Sequence, residues 1–220
     1  MAAAEQKTIL AYGDSLTYGA NPVPGGARHP LADRWPTSLE RGLGGKARVI
    51  AEGLGGRTTV HDDHFADADR NGARILPTLL SSHGPLDLVI IMLGTNDLKP
   101  FHGRTAQECA YGVRRLVQIV RGHAAGEGQK APAIIIVAPP QLSKTDHPEM
   151  MKHFGEDDAI AESKQLAYWY KLRADELGVG FFDASTVAQP DPADGVHLDA
   201  KNTRAIGVGL VPVVKQVLGL

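Results

Sequence analysis

Short runs of aliphatic and β-branched residues alternate along this chain with longer amphipathic stretches. Residues 8–12, 48–51, 86–93, 133–138 and 179–182 read as five strands. The third and fourth runs, LDLVIIML and AIIIVA, are almost continuously apolar. That is the mark of parallel strands covered on both faces. Helical spacing fills the gaps. Thr105 and Glu108 stand at the separation of a capping box, and Cys109, Val113, Leu116, Val117 and Val120 then recur on one helical face, predicting a helix over 106–123. A second helix is predicted over 156–177 and stopped by Gly178, with others over 35–42, 73–83 and 200–218. Pro212 is expected to kink or interrupt the last of these. Strands alternating with helices predict right-handed crossovers and a parallel sheet. Residues 21–30 and 139–155 are rich in proline, glycine and polar residues and read as loops. Each follows the C-terminal end of a predicted strand, where open α/β sheets build their sites.

Composition narrows the class. The 220 residues fall within the size of one domain, taken as 1–220, and 43% are hydrophobic, enough for a layered core. A formal net charge of -2 offers no electrostatic footprint for nucleic acid or an anionic membrane. Cys109 has no cysteine partner, so a reducing compartment is compatible. No apolar stretch approaches the ~18 residues that a membrane helix needs. The first residues, 1–7, lack a basic segment followed by an apolar run, so a secretory leader is not expected and the expected location is cytoplasmic.

Four short segments carry the candidate chemistry: Gly13-Asp14-Ser15-Leu16, Gly53-Leu54-Gly55-Gly56, Gly94-Thr95-Asn96-Asp97 and Asp194-Gly195-Val196-His197. Ser15 follows the first strand, where a helix starting nearby aims its N-terminal amides at the site. A serine hydroxyl is a weak nucleophile until a base takes its proton. His197 supplies a base, and Asp194, three residues before it, a carboxylate to hold one imidazole nitrogen. A tetrahedral intermediate also needs donors for its oxyanion, worth ~3–4 kcal/mol for a single donor. The Ser15 N–H, the Gly56 N–H and the Asn96 side-chain amide are the candidates, and all follow predicted strands. Taken singly, each segment has a plainer reading: Asp14 and Ser15 as a helix cap, Gly55-Gly56 as a turn, Asn96-Asp97 as an Asx-turn, His197 as a surface histidine. Their joint order is what favours the site.

These four segments resemble the blocks of the SGNH hydrolase family, also called GDSL esterases, and the likeness runs from the first strand to the last helix. The stretches 52–59 and 86–97 are similar to the bacterial arylesterase and acyltransferase branch typified by the mycobacterial enzyme. The resemblance implies a flavodoxin-like three-layer α/β/α sandwich around a central five-stranded parallel sheet. It implies Ser15 as nucleophile, His197 as general base and acid, and Asp194 as its orienting partner. Ser15, Gly56 and Asn96 would form the oxyanion hole. The expected activity is hydrolysis of small, short-acyl aryl or alkyl esters, with acyl transfer when an alcohol replaces water. The alternatives are a carbohydrate acetyl esterase or a thioesterase and, more remotely, a non-catalytic binding domain on the same fold. No metal or organic cofactor is implied. The expected partner is a small-molecule ester, without nucleic acid or membrane, and the resemblance also implies a homo-oligomer, an octamer among its forms.

Other motifs give less. His61-Asp62-Asp63-His64, with Asp67 and Asp69, looks like a metal cluster but lacks helical His-x-x-x-His spacing and reads as a solvated acidic loop. Gly53-Leu54-Gly55-Gly56-Arg57-Thr58 has threonine where a dinucleotide fingerprint has its third glycine. Ser15 does not sit in Gly-x-Ser-x-Gly, which argues against the α/β-hydrolase fold. Cys109 and Trp169 are expected in the core. Trp35 and Phe154 are candidates to line an acyl or aryl pocket.

Overall fold

The computed structural model describes residues 6–23, 25–103, 105–128 and 130–220. Most of the segment read for a leader, residues 1–5, lies outside the described residues, as does Pro24 of the 21–30 loop. Strands β1 (Lys7–Gly13), β2 (Ala47–Gly53), β3 (Leu88–Met92), β4 (Ala133–Ala138) and β5 (Gly180–Asp183) pair in parallel, in the order β2-β1-β3-β4-β5. This is the flavodoxin-like order. The chain runs to one side of β1 to lay down β2, then returns past it to lay down β3. A crevice opens at that reversal, outside the carboxyl ends of β1 and β3.

Period-2 alternation builds the two faces. Leu10, Tyr12, Val89, Ile91, Ile134 and Ile136 point to one side, packing on helices α3 (Gly72–His83), α4 (Ala106–Gly126) and α6 (Asp157–Leu177). Ile9, Ala11, Leu88, Ile90, Ile135 and Val137 point to the other, packing on α2 (Trp35–Gly42) and α7 (Ala200–Leu218). The result is a three-layer α/β/α sandwich. Trp35 and Tyr170 are the largest aromatic plugs beyond the sheet itself, both fully buried.

Several local expectations are met by atoms. The Thr105 N–H donates to the Glu108 carboxylate while the Glu108 N–H donates to Thr105 Oγ1, closing the capping box. Gly178 ends α6 in the left-handed region. Four readings change. The 139–155 loop contains a helical turn, α5 (Pro148–Met150), which runs on into a π-helical turn, Met151–Gly155. His147 caps it by accepting the Met150 N–H, a role that histidine rarely signals in sequence. α7 is not interrupted at Pro212. Pro212 and Val208, whose carbonyl would have taken the missing N–H, both lie on the exposed side, where water can pair that carbonyl. Trp35 lines no pocket: its ring is in the core and its Nε1 donates to Thr17 Oγ1 at 3.2 Å. Trp169, expected in the core, is partly buried at its edge, and the neighbouring Tyr170 takes the central position.

Candidate active site

Four loops leave the carboxyl ends of strands and meet at the crevice. After β1, Asp14 caps the four-residue helix α1 (Ser15–Tyr18), its carboxylate accepting the Leu16 N–H at 2.9 Å. Ser15 is therefore the first helical residue. Its N–H has no acceptor within the helix and points out of the N-terminus. After β2, residues 54–57 form a turn closed by the Arg57 N–H on the Leu54 carbonyl at 3.1 Å. Gly56 occupies its third position with φ +81°, where a type II turn calls for glycine. After β3, Asn96 opens a 3₁₀ turn, Asn96–Leu98.

The fourth loop, between β5 and α7, carries the acid–base pair. One oxygen of Asp194 accepts the N–H groups of Val196 and His197 at 2.9 and 2.8 Å. The other oxygen meets His197 Nδ1 at 2.5 Å. The carboxylate thus clamps both the backbone and the ring of His197. Gly195, between them, has φ +74°, and a Cβ there would lie 2.3 Å from the Ser143 carbonyl. Neighbouring loops brace the turn: the Ser143 N–H donates to the Gly195 carbonyl, and the Thr145 hydroxyl to that of Ala193. The ring of His29, from the 21–30 loop, bonds the Leu198 carbonyl at 2.8 Å.

His197 Nε2 lies 2.9 Å from Ser15 Oγ. With Nδ1–H given to the carboxylate, Nε2 is the bare nitrogen and accepts the serine proton. Asp194, His197 and Ser15 therefore form one continuous hydrogen-bonded chain. Ser15, Gly56, Asn96 and His197 line a single cavity of about 630 Å³, with Phe154 on its wall. Asp194 stands behind the imidazole, so the structure brings Ser15, Gly56, Asn96, Asp194 and His197 together around this crevice.

The structure adds residues that the sequence reading missed. Arg57 is buried with its guanidinium 4.4 Å from the centre of the Tyr12 ring, and it donates to the carbonyls of Gly13 and Glu52. It ties the ends of β1 and β2 together. Its own carbonyl accepts from Asn96 Nδ2 at 3.1 Å, which sets the amide's direction. Asp97, fully buried, accepts the Thr59 N–H and hydroxyl, tying the third loop to the second. Apart from the bond to Glu52, these hydrogen bonds join residues 38 to 44 positions apart. No local pattern marks such pairs. The one available signal was a charged residue beside each glycine-rich or asparagine motif.

Electrostatics separate the acids. Burial pulls the Asp194 pKa upward, but the His197 ring, with the Val196 and His197 amides, outweighs it, leaving Asp194 below the ordinary carboxylate range. Asp14 goes the other way. Burial raises its pKa to about 6, against the lowering pull of the Leu16 N–H, His197 and Arg57. Burial likewise raises that of Asp97. The acids of the 61–69 loop serve structure: Asp62 and Asp69 both bond Arg74, and Asp67 bonds Arg70. Among the described residues, no group of three or more His, Cys, Asp or Glu is arranged to hold a metal ion. Among the described residues, no helix is long and apolar enough to cross a membrane.

The raised Asp14 pKa makes a stability prediction. Below about pH 4 its carboxyl is protonated in both folded and unfolded chains. From there to about pH 6 the unfolded chain ionises while the folded chain keeps its proton. Stability therefore falls as pH rises through this window, by on the order of 2–3 kcal/mol at neutrality. Asp14→Asn keeps an acceptor for the Leu16 N–H and removes the ionisation. Denaturant melts from pH 4 to 7 should show wild type losing ground to the variant as pH rises. Parallel curves would mean that Asp14 carries no such burden.

A parallel sheet in this order, with a serine, a histidine and an aspartate hydrogen-bonded in line at its reversal point, is an arrangement suited to acyl-transfer chemistry. The profile of the GDSL-like Lipase/Acylhydrolase family matches residues 11–204, and the chain belongs to that family. Solved structures give nearer likenesses. A carbohydrate acetylesterase family member from Sinorhizobium meliloti is 52% identical over 98% of this chain and 100% of its own, with a TM-score of 0.93. The aryl esterase of M. smegmatis is 41% identical over 96% of this chain and 100% of its own, with a TM-score of 0.90. A second carbohydrate acetylesterase from S. meliloti is 40% identical over 96% of this chain and 99% of its own, with a TM-score of 0.89. No curated protein matches the chain in sequence.

Proposed function

We propose that this chain is a serine esterase that cleaves small, short-acyl carboxylic esters through an acyl-enzyme on Ser15. The observation that carries the reading is the hydrogen-bonded run from Asp194 through His197 to Ser15, opening on a cavity also lined by Gly56 and Asn96. Ser15 Oγ forms a bond to the ester carbonyl carbon as its proton passes to His197 Nε2. The carbonyl oxygen takes the negative charge between the Ser15 N–H, the Gly56 N–H and the Asn96 amide. The carbon–alkoxy bond then breaks, and the alkoxide leaves with the proton from His197. Water, activated by the same imidazole, releases the acid and restores Ser15. An alcohol in place of water gives acyl transfer.

A panel of nitrophenyl esters from acetate to decanoate tests the substrate range, with a steep fall along the series expected. Labelling of Ser15 by an organophosphate tests the nucleophile; failure to label would favour a non-catalytic binding domain. The oxyanion role of Asn96 is testable separately. Asn96→Ala should lower kcat by about 10²–10³-fold and leave KM nearly unchanged, because the donor acts on charge that appears only in the transition state. A rise in KM at constant kcat would make Asn96 a ground-state binding group instead.

A second reading has its own support. Two of the similar solved structures are described as carbohydrate acetylesterases, which favours an acetylated sugar as the ester. Comparing rates on 4-nitrophenyl acetate, acetylated xylose and acetyl-CoA separates this from aryl ester and thioester cleavage.

A further inference from the structure

Two cations that take no part in moving the serine proton, Arg70 and Lys99, line the cavity that holds Ser15. Lys99 closes the 3₁₀ turn that Asn96 opens, its N–H donating to the Asn96 carbonyl at 3.2 Å. Its ammonium stands 5.5 Å from the centre of the Phe154 ring and 5.6 Å from that of Phe101. Among the described residues it makes no hydrogen bond or ion pair. Burial draws its pKa below the usual lysine range, against the pull of the Asp63 and Asp14 carboxylates. Two ring faces are a weak counterpart for a charge taken partly out of water, and an anion in contact is a far better one. Arg70 is placed differently. Its Nη1 donates to the Ala68 carbonyl and its Nη2 to the exposed Asp67 carboxylate. Its Nε lies against the glycine turn, 3.2 Å from where a Cβ on Gly56 would stand. Arg70 thus adds positive charge beside the turn, while Lys99 keeps its donors for a ligand.

The cavity is polarised along the line of the reaction. Its one carboxylate among the described residues, Glu149, also borders a neighbouring space together with His197, and Arg70 and Lys99 do not. Glu149 therefore stands on the imidazole's side and the two cations on the side of Gly56 and Asn96. An ester bound to Ser15 has its alkoxy oxygen at His197, which must protonate it, so its alcohol half lies toward Glu149. Its acyl half takes the other direction, toward Lys99. A negative charge on the alcohol would meet a like charge, whereas one at the end of a short acyl chain would meet an ammonium without a partner.

Resting on the esterase reading, we infer that Lys99 is an anion subsite for the acyl half and that the favoured substrates are half-esters of short dicarboxylic acids, with the unesterified carboxylate paired to its ammonium. The measurement is kcat/KM for the better of monoethyl succinate and monoethyl glutarate, divided by kcat/KM for its own carboxamide isostere. Wild type should favour the carboxylate by about tenfold or more, the scale of one charge-assisted hydrogen bond. Lys99→Met keeps a stem to pack between the two rings and should bring the ratio close to one, mainly through a higher KM for the anion. Lys99→Arg keeps the charge and should retain most of the preference. A wild-type ratio at or below one for both acids would overturn the subsite. So would a Lys99→Met ratio within about twofold of wild type, an equal fall on both esters included, since the ammonium would then serve the oxyanion or the fold. Wild type alone gives an independent reading: its preference should shrink by at least about twofold between about 20 and about 500 mM salt, and a salt-independent preference would overturn the pairing. The anion's side is tested with 4-acetoxybenzoate, which carries its carboxylate in the alcohol half and should gain nothing over 4-acetoxybenzamide; a gain there would overturn the assignment to the acyl half. A wild type that cleaves 4-nitrophenyl acetate but neither half-ester would overturn this inference alone. One that cleaves none of these esters would overturn the esterase reading as well.

Discussion

Ser15→Ala should lower the turnover of 4-nitrophenyl acetate by about 10⁵-fold or more, with no change in fold. Only Oγ is lost. Asp14 still caps α1 through the Leu16 N–H, and the residue 15 carbonyl still accepts from Gly19 and Ala20. Circular dichroism and thermal melting should therefore match wild type. The residual rate reports what the cavity does without a covalent step. The Gly56 N–H, the Asn96 amide and the N–H of residue 15 all survive the substitution, so that rate should exceed the uncatalysed one. Adding His197→Ala to the Ser15 variant should then cost almost nothing more. The imidazole acts only by moving the serine proton, and groups that act as a unit are not additive. A second large loss on top of the first would mean that His197 activates some other nucleophile. Undiminished turnover by the single variant would refute Ser15 as nucleophile.

Much of this site was legible because Ser15, Gly56 and Asn96 each sit within a few residues of a strand end, while Asp194 and His197 share one short motif ahead of the last helix. The apolar runs of β3 and β4 announce themselves, and a parallel sheet delivers every strand's carboxyl end to one edge. Gly13, Gly53 and Gly94 could thus be assigned to one crevice without knowing any distance. What escaped notice was whatever depends on long-range approach. Arg57 reads locally as an ordinary charge after a turn, and nothing nearby shows that its guanidinium will be buried on the Gly13 carbonyl. Thr59 and Asp97 are 38 positions apart and pair only because β2 and β3 flank β1. Trp35 was misjudged for the same reason. It stands near a flexible-looking loop in sequence, but α2 turns its ring under the sheet. The helical turn at 148–155 was missed because its cap is a histidine and its stop is a π-helical turn rather than a left-handed glycine.

These buried tethers also explain how the proposed oxyanion donors are held in position without a rigid element beneath each of them. Asn96 sits in a single 3₁₀ turn and Gly56 in a tight turn, neither stiff by itself. Arg57 links them: its N–H closes the Gly56 turn, its carbonyl receives the Asn96 amide, and its guanidinium grips the end of β1 just before Ser15. A preorganised donor is worth most when it need not move as charge develops. Arg57 is buried as a cation, and burial draws its pKa down from the usual arginine range. The carbonyls of Gly13 and Glu52 and the face of Tyr12 offset that cost.

Asp194→Asn should lower kcat by about 10⁴-fold while leaving the loop in place. The side-chain carbonyl of asparagine can still accept the Val196 and His197 amides, so the turn that carries the imidazole survives. The second oxygen is the one replaced. In wild type it accepts the Nδ1 proton of His197 at 2.5 Å. An NH₂ group there donates rather than accepts, so Nδ1 must become the bare nitrogen and the proton must move to Nε2. A protonated Nε2 cannot take the proton of Ser15, although the two atoms remain within reach. The loss is one of tautomer, not of distance. Raising the pH does not restore the rate by deprotonation, because the neutral ring is the wrong tautomer at any pH where it is neutral. Wild type holds its carboxylate ionised well into acid, since the imidazole and two amides keep its pKa below the ordinary range. The two enzymes should therefore differ by a similar factor across neutral and mildly alkaline pH. Recovery of the variant toward wild-type rates at alkaline pH would show that Asp194 acts through charge alone and that tautomer control is not its role.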